Sequence, residues 1–202
     1  LGEVVSDDNA RMRKEWAVLE EVVGAPSRIN KIAEDIVNHF NHRPIEGKAM
    51  IVTMSRRIAV LMYEAIKKIN GAPECAVVIS NSDEYASVIQ QERDVKKLEK
   101  RFKKVNDSLK IAIVCDMWLT GFDVPCLHTM YLDKPLKNHG LMQAIARVNR
   151  VFKDKPGGLI VDYIGIAENL KKARAWYDSD IQNDALIPID EVVAQMHTIH
   201  KQ

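Results

Sequence analysis

Residues 111–150 read IAIVCDMWLTGFDVPCLHTMYLDKPLKNHGLMQAIARVNR, and this stretch decides the fold. The apolar run at 111–115 is short and continuous, which is typical of a strand that is covered on both faces, and residues 128–132 read as a further strand. Similar runs at 49–54, 75–79 and 159–162 alternate with helical patterns, as they do in βαβ units. The sequence therefore predicts an α/β domain in which helices flank a mainly parallel sheet.

Six segments carry apolar residues at helical spacing: 6–23, 27–41, 56–70, 93–105, 138–150 and 166–177. Ser27 is of the type that caps a helix N-terminus, and it is expected to cap the second segment. We expect a helical lead-in over residues 1–26, the α/β lobe over 27–180, and a linker with the start of a further helical region over 181–202. Both ends of the chain read as cut, so a fragment of a longer protein is expected.

The composition is that of an ordinary globular domain, with 202 residues, 47% of them hydrophobic and a net charge of +1. Nucleic-acid binding would therefore have to come from local placement of charge rather than from a global field. No apolar run reaches the roughly 18 residues that cross a bilayer, and no signal-peptide pattern begins the chain. Cys75, Cys115 and Cys126 lack CxxC spacing, so we expect free thiols in a reducing compartment, no metal site and a cytoplasmic protein without membrane contact.

The helical segment at 138–150 has two different faces. Gln143, Arg147 and Arg150 share one face, because they are spaced by four and then three residues. An opposite stripe is apolar and suited to packing on a sheet; it consists of Leu141, Ile145, Val148 and Phe152. Two guanidinium groups one turn apart can bind one polyphosphate, although a solvated cationic face has the same spacing.

The segment at 117–125 follows an apolar strand directly, so it lies at the carboxyl end of a parallel strand, where α/β sheets place ligands. Gly121 would allow a close backbone approach, Asp123 offers an acceptor to a sugar hydroxyl, and Thr120 offers a hydroxyl to a phosphate. A plain structural loop would have the same composition. Trp118 and Phe122, which flank this segment, are expected to pack in the core rather than to stack on bases.

Taken together, the two segments resemble a known family. The Thr120-x-Gly121-x-Asp123 core resembles motif V of superfamily 2 helicases, and Gln143-x-x-x-Arg147-x-x-Arg150 resembles motif VI. The longer string at 119–150, and KPGGLIVDYIG at 155–165, are similar to the restriction (R) subunits of type I restriction–modification enzymes. The resemblance covers roughly residues 10–180.

The resemblance implies a RecA-like three-layer domain that is the second of two motor lobes, between which ATP binds. It would direct Arg147 and Arg150 toward the γ-phosphate, with Arg150 as the arginine finger and Gln143 supporting it. Gly121 and Asp123 would lie beside the nucleotide.

The resemblance also implies contacts with the DNA backbone that read no bases. Thr120 would lie near one phosphate. The strand at 49–54 and its exit resemble motif IV, in which Thr53, Ser55 and Arg56 would contact the phosphodiester backbone. A helix cap for Ser55 and a solvated surface position for Arg56 are the alternative interpretation of the same residues.

The chain departs from a complete motor in one respect. The P-loop pattern GxxxxGK[ST] is absent, because Ala49 follows Gly47-Lys48 and no glycine stands five residues earlier. ATP with Mg²⁺ would therefore be bound mainly by a first RecA-like lobe of the same subunit, and the isolated chain is expected to be inactive. The family implies double-stranded DNA and the modification and specificity subunits as further partners, and it assigns DNA cleavage to a separate nuclease domain.

Two other interpretations remain open from the sequence. The lobe could serve only as a DNA-binding or assembly module without an ATP role, although the two arginines of the 138–150 segment argue against this. It could also be the second lobe of another superfamily 2 motor, such as a type III restriction enzyme or a chromatin-type translocase.

Overall fold

A computed structural model describes residues 2–80, 85, 94–119, 121–136, 138–150 and 157–165. The helices in this part of the chain are α1 (Gly2–Val23), α2 (Pro26–His42), α3 (Arg56–Lys67), α4 (Val95–Lys103) and α5 (Asn138–Val148). The strands are β1 (Lys48–Thr53), β2 (Glu74–Val78), β3 (Leu109–Val114), β4 (Leu127–Asp133) and β5 (Leu159–Asp162). The helix predicted at 166–177, the linker at 181–190 and the further helical region lie outside the described residues.

The five strands form one sheet in the order β2-β3-β1-β4-β5, and every neighbouring pair is parallel. β1 lies at the centre, and all six of its residues are buried. This complete burial explains why residues 49–52 of β1 form a continuous apolar run rather than an alternating one, while the polar Lys48 and Thr53 at its ends form hydrogen bonds within the lobe. The predicted parallel α/β sheet is therefore confirmed.

Two apolar cores lie on opposite faces of the sheet. Met50 and Val52 of β1 contribute to the core beneath α4 and α5, whereas Ala49 and Ile51 contribute to the core beneath α2 and α3. Successive residues of a strand point to opposite faces, so each strand supplies both cores. The architecture thus has three layers, as predicted. Leu19 and Val23 at the end of α1 pack into the same core as α2.

The start of α2 corrects one prediction. The helix begins at Pro26 with Ala25 in the N-cap position, and no side chain forms a cap hydrogen bond there. Ser27 lies inside the first turn instead. Proline is favoured at the first helical position because its φ is already helical and it has no N–H to satisfy, so Pro26 starts the helix without a polar cap.

α5 packs with a slightly different stripe from the one predicted. Leu141, Ala144 and Val148 are fully buried, and Ile145 is only partly buried. Just beyond the helix, a Cβ on Gly158 would come within 2.3 Å of the Val148 carbonyl oxygen, so only glycine allows the chain leading to β5 to pass the end of α5.

A buried cation lies at the amino end of the sheet. Lys48 has only 1% of its surface exposed, and its ammonium group donates to the carbonyl oxygens of Arg101 (3.0 Å) and Leu109 (2.8 Å). Burial lowers the pKa of Lys48. The bond to Arg101 satisfies a carbonyl in the last turn of α4, where a positive charge is favourable. Lys48 therefore has a structural role here rather than the role of a P-loop lysine.

A row of polar pairs joins α2 and the residue after it to the β4–β5 side of the sheet. The pairs are Arg28 with Asp133, Asp35 with Tyr163, His39 with Tyr131 and Arg43 with Thr129. Residues 129, 131 and 133 alternate along β4, so they face the same helix. The Asp133 carboxyl is completely buried, and its burial raises its pKa although Arg28 lies 2.6 Å away. These pairs fix α2 on the sheet.

The pair of His39 with Tyr131 generates a pH-dependent stability. Burial lowers the pKa of His39, with Arg43 adding to this effect and Asp35 opposing it. Burial raises the pKa of Tyr131, so its hydroxyl keeps its proton and can donate to a neutral His39 Nδ1 at 2.7 Å. Because the folded pKa is lowered, the contribution of His39 to stability is fully present above the ordinary value of 6.5 and is lost as the pH falls through the folded pKa.

We expect the free energy of unfolding to fall as the pH is lowered from about 8 to about 5, with a shallower fall in the His39→Gln variant. Urea unfolding of both chains across this range measures the difference, and the other five histidines are common to both. Identical pH dependence in the two chains would contradict the assignment.

Candidate functional site

The connection from β3 to β4, which we name the 116–124 loop, lies between α4 and α5. β3 and β4 both run parallel to β1, so the loop passes from the carboxyl end of β3 toward the amino end of β4. Gly121 has φ 69° with no atom within 4 Å of a Cβ placed on it, so its backbone conformation rather than crowding requires glycine. Thr120, predicted to contact DNA, lies outside the described residues.

Aromatic side chains fix the loop onto α4. Trp118 and Phe122 stack with their ring centroids 4.1 Å apart, and both stack on Phe102 of α4. Trp118 is 7% exposed and Phe122 is 5% exposed, so the prediction that they pack in the core is confirmed. Trp118 also has φ 66°, a conformation that costs a non-glycine residue about 1–2 kcal/mol. Its stacked and buried position offsets that cost.

Arg147 holds the same loop from the side of α5. Its Nε donates to the carbonyl oxygen of Leu119 at 3.0 Å, and its Nη1 donates to that of Phe122. These two carbonyls lie on either side of the segment that contains Thr120 and Gly121. Partial burial, together with the charge of Arg150, lowers the pKa of Arg147, and Asp123 opposes this. The structure therefore gives Arg147 a contact within the lobe that its motif does not predict.

Arg150 contacts the last part of the loop. Its Nη1 lies 2.8 Å from Oδ2 of Asp123, and the two side chains are 50% and 51% exposed. A half-exposed pair leaves both groups accessible to a ligand: the guanidinium suits a phosphate oxygen, and the carboxylate suits a hydroxyl. The predicted cationic residue and the predicted carboxylate are thus brought together. Gln143 lies one turn before Arg147 on α5 and is partly exposed.

The exit of β1 contains the second group of predicted residues. Thr53 is completely buried, and its Oγ1 lies 3.1 Å from the carbonyl oxygens of both Ser55 and Val114, so its hydroxyl is used within the lobe. Ser55 is the N-cap of α3 and accepts a hydrogen bond from the Ile58 amide at 3.3 Å. Arg56 is exposed. The capping role considered for Ser55 is confirmed.

One contact joins this exit to the end of β3, and Lys134 adds contacts from the end of β4. The Cys115 Sγ lies 3.6 Å from the carbonyl oxygen of Met54 and 3.3 Å from Oδ2 of Asp116, and burial raises the pKa of that thiol to about 11. Lys134, immediately after β4, donates to the carbonyl oxygen of Cys115 at 3.4 Å and forms an ion pair with Asp116. Sequence reasoning missed Lys134. Its position one residue beyond the carboxyl end of a central strand, the edge where ligands bind, could have indicated it.

Similarity to known proteins identifies the family of this chain. A family model described as "Type I restriction enzyme subunit R domain 3" matches residues 82–165. The putative type I restriction enzyme MjaIXP endonuclease subunit of Methanocaldococcus jannaschii is 48% identical over 192 residues, which is 92% of this chain and 18% of that protein. This chain belongs to the family of type I restriction enzyme R subunits. The type I restriction enzyme HindI endonuclease subunit of Haemophilus influenzae is 46% identical, over 78% of this chain and 17% of that protein.

This chain therefore spans less than a fifth of the length of these two R subunits. This membership decides against the type III and chromatin-type alternatives.

Solved structures support the fold of this R-subunit lobe. Saccharomyces cerevisiae Dbp5 bound to RNA and ADP BeF3 gives a TM-score of 0.56 at 14% identity, over 86% of this chain and 42% of that chain. T4 UvsW gives 0.53 at 14% identity, over 92% and 34%. The C-terminal domain of Dbp5 gives 0.52 at 16% identity, over 82% and 89%. The predicted RecA-like three-layer fold is thus confirmed for this chain.

Two of the predicted absences concern metals and membranes. Within the described residues of this R-subunit lobe, no group of three or more His, Cys, Asp or Glu side chains is placed to bind a metal ion. The three cysteines are free thiols. None of the described helices is long and apolar enough to cross a membrane.

The two arginines should differ in their contribution to stability. Arg147→Gln removes charged donors from two loop carbonyls and should lower the free energy of unfolding by about 1–3 kcal/mol. Arg150→Gln removes a half-exposed ion pair and should cost less than about 1 kcal/mol. Urea unfolding at neutral pH measures both, and each variant is the matched control for the other. Equal costs, or a larger cost at Arg150, would contradict the described contacts.

Proposed function

We propose that this chain is the second motor lobe of an ATP-dependent translocase of double-stranded DNA within a type I restriction enzyme. One observation carries the proposal: Arg147 of α5 and Arg150, two residues beyond the end of α5, both contact the single loop that contains Asp123 and Thr120. A loop held in this way can contact a nucleotide and a DNA backbone at the same time. Movement at one ligand is therefore transmitted to the other.

The donor set of this lobe fits one side of a nucleotide. Arg150 presents a half-exposed guanidinium to the γ-phosphate, where charge develops as the phosphoryl group is transferred, and Gln143 supports it from the preceding turns of α5. Asp123 is available for a sugar hydroxyl, and Gly121 allows the backbone to approach. Arg147 uses Nε and Nη1 on the loop, so its Nη2 is the group that would reach a phosphate.

ATP with Mg²⁺ supplies the free energy for movement when it is bound, and most of its contacts belong to a first RecA-like lobe of the same subunit. The second lobe, formed by the present chain, contributes the residues that complete the ATP site. The isolated chain is expected to hydrolyse little ATP, because its sequence contains no P-loop pattern.

The DNA contacts are proposed at the carboxyl edge of the sheet. The exposed Arg56, the hydroxyl of Ser55 and Thr120 would contact phosphates, and such contacts carry no base preference. Since the hydroxyl of Thr53 is buried and bonded within the lobe, we assign Thr53 a supporting role beneath this surface. The other partners in the proposal are the modification and specificity subunits, and the proposed location is the cytoplasm.

Replacing the proposed arginine finger tests the ATP role. In the full-length subunit within its complex, Arg150→Ala should lower the rate of DNA-stimulated ATP hydrolysis by roughly 10³-fold or more, because charge stabilisation in the transition state is lost. ATP affinity should remain largely intact. Steady-state turnover and direct ATP binding measure the two quantities, and Lys31→Ala, on the exposed side of α2, is the control.

Two results would contradict the proposal. A parallel loss of affinity and rate would make Arg150 a ground-state ligand of ATP. An Arg150→Ala subunit with unchanged turnover would instead favour a DNA-binding or assembly module without an ATP role.

A further inference from the structure

Lys134 lies outside both motifs and is nevertheless placed between the two groups of proposed site residues. It follows β4, whereas its contacts are at the end of β3, and β1 lies between these two strands in the sheet. Its side chain therefore passes over the carboxyl end of β1. Neighbouring strands are about 4.8 Å apart, so the long lysine stem is suited to this span.

The ammonium group of Lys134 forms bonds within the lobe rather than being exposed to solvent. Its side chain is only 12% exposed, whereas that of its partner Asp116 is 78% exposed. It donates to the Cys115 carbonyl oxygen at 3.4 Å as well as to the Asp116 carboxylate. Partial burial works to raise the pKa of Asp116, but the bond and charge of Lys134 outweigh it and lower that pKa. Asp116 therefore stays ionised and paired at neutral pH.

The contacts of Lys134 complete a set of three cations on one loop. Lys134 holds the start of the 116–124 loop, Arg147 holds its middle and Arg150 holds the carboxylate near its end. All three belong to the continuous segment 134–150. Arg147 acts from α5 and Arg150 from just beyond its end, so Lys134 alone among them acts from the carboxyl edge of the sheet.

The same junction reaches the β1 exit. The residue whose carbonyl Lys134 binds, Cys115, has its thiol sulfur 3.6 Å from the carbonyl oxygen of Met54 and 3.3 Å from Oδ2 of Asp116, and Met54 directly precedes Ser55 and Arg56. Loss of the Lys134 contacts would therefore allow the start of the 116–124 loop to move relative to the β1 exit. We infer that Lys134 is a positioning residue that sets the 116–124 loop against the Ser55–Arg56 exit, so that a duplex contacting both segments stimulates ATP hydrolysis. This inference rests on the proposed function.

The test uses the full-length subunit in its complex and the variant Lys134→Met, which keeps an unbranched apolar stem and removes the donors. The maximal DNA-stimulated rate of ATP hydrolysis should fall by about tenfold to a hundredfold, the scale of a misplaced active group. The KM for ATP and the slope of duplex affinity against salt should stay near wild-type values, because no ligand contact is removed. Lys134→Arg should restore most of the rate.

Two further variants make the result interpretable. Asp116→Asn, at a 78% exposed position, removes the charged partner of Lys134 but leaves its bond to the carbonyl of Cys115. It should therefore lower the maximal DNA-stimulated rate by only about threefold, which corresponds to the loss of one exposed ion pair. Lys31→Met removes a lysine from the exposed side of α2 and should change nothing. Thermal unfolding of each subunit accompanies the rates.

Four results would overturn the inference. A salt slope that falls by about one in Lys134→Met would make Lys134 a phosphate ligand. A raised KM for ATP at an unchanged maximal rate would make it a nucleotide contact, and an unchanged rate would remove any role. A lower melting temperature with a rate that Lys134→Arg does not restore would indicate general support of the fold. If DNA does not stimulate ATP hydrolysis by the wild-type complex, the proposed function is wrong. If DNA stimulates the wild-type and the Lys134→Met complexes equally, only the inference about Lys134 is wrong.

Discussion

The pair of hydrogen bonds from Arg147 to the carbonyl oxygens of Leu119 and Phe122 is the constraint on which the site depends. Without them, this connection between two parallel strands would be held by the stacked Trp118 and Phe122 and by the contacts of Lys134 and Arg150 at its two ends. A guanidinium is suited to the task because its planar donors are fixed relative to one another and stay charged. The loop is thereby attached on one side to α4 by apolar contact and on the other to α5 by charged donors.

The attachment of the loop to α5 follows from the two faces of this helix. Leu141, Ala144 and Val148 seat the helix on the sheet, and this seating directs the arginines toward the loop. The coupling that we propose between nucleotide and DNA therefore depends on how α5 packs against the sheet. Arg150 and Asp123 are half-exposed and open to a ligand, while the contacts that hold their backbone are largely buried. Binding groups thus stand on a fixed support, as precise positioning requires.

Much of this arrangement was predictable because it is encoded locally. Continuous apolar runs indicated the parallel strands, and the spacing of residues 143, 147 and 150 indicated a polar face. The side-chain partners were not predictable, because they depend on how distant segments meet: Arg147 bonds to carbonyls some 25 residues away in sequence, and the hydroxyl of Thr53 lies against β3. Lys134 has no motif, and Ser27 is of the capping type but follows a proline that starts the helix. Whether the predicted residues bind ATP and DNA stays a prediction of the family resemblance.

We propose that one loop, held by Arg147, links the nucleotide to the duplex. The most direct measurement is the affinity of the full-length subunit for duplex DNA, at fixed salt, with and without a saturating non-hydrolysable ATP analogue. The analogue should change the wild-type affinity by about 5-fold to 150-fold, the usual range of coupling between sites, and Arg147→Gln should bring this factor close to one. A coupling factor that is the same in Arg147→Gln and in wild type would contradict it.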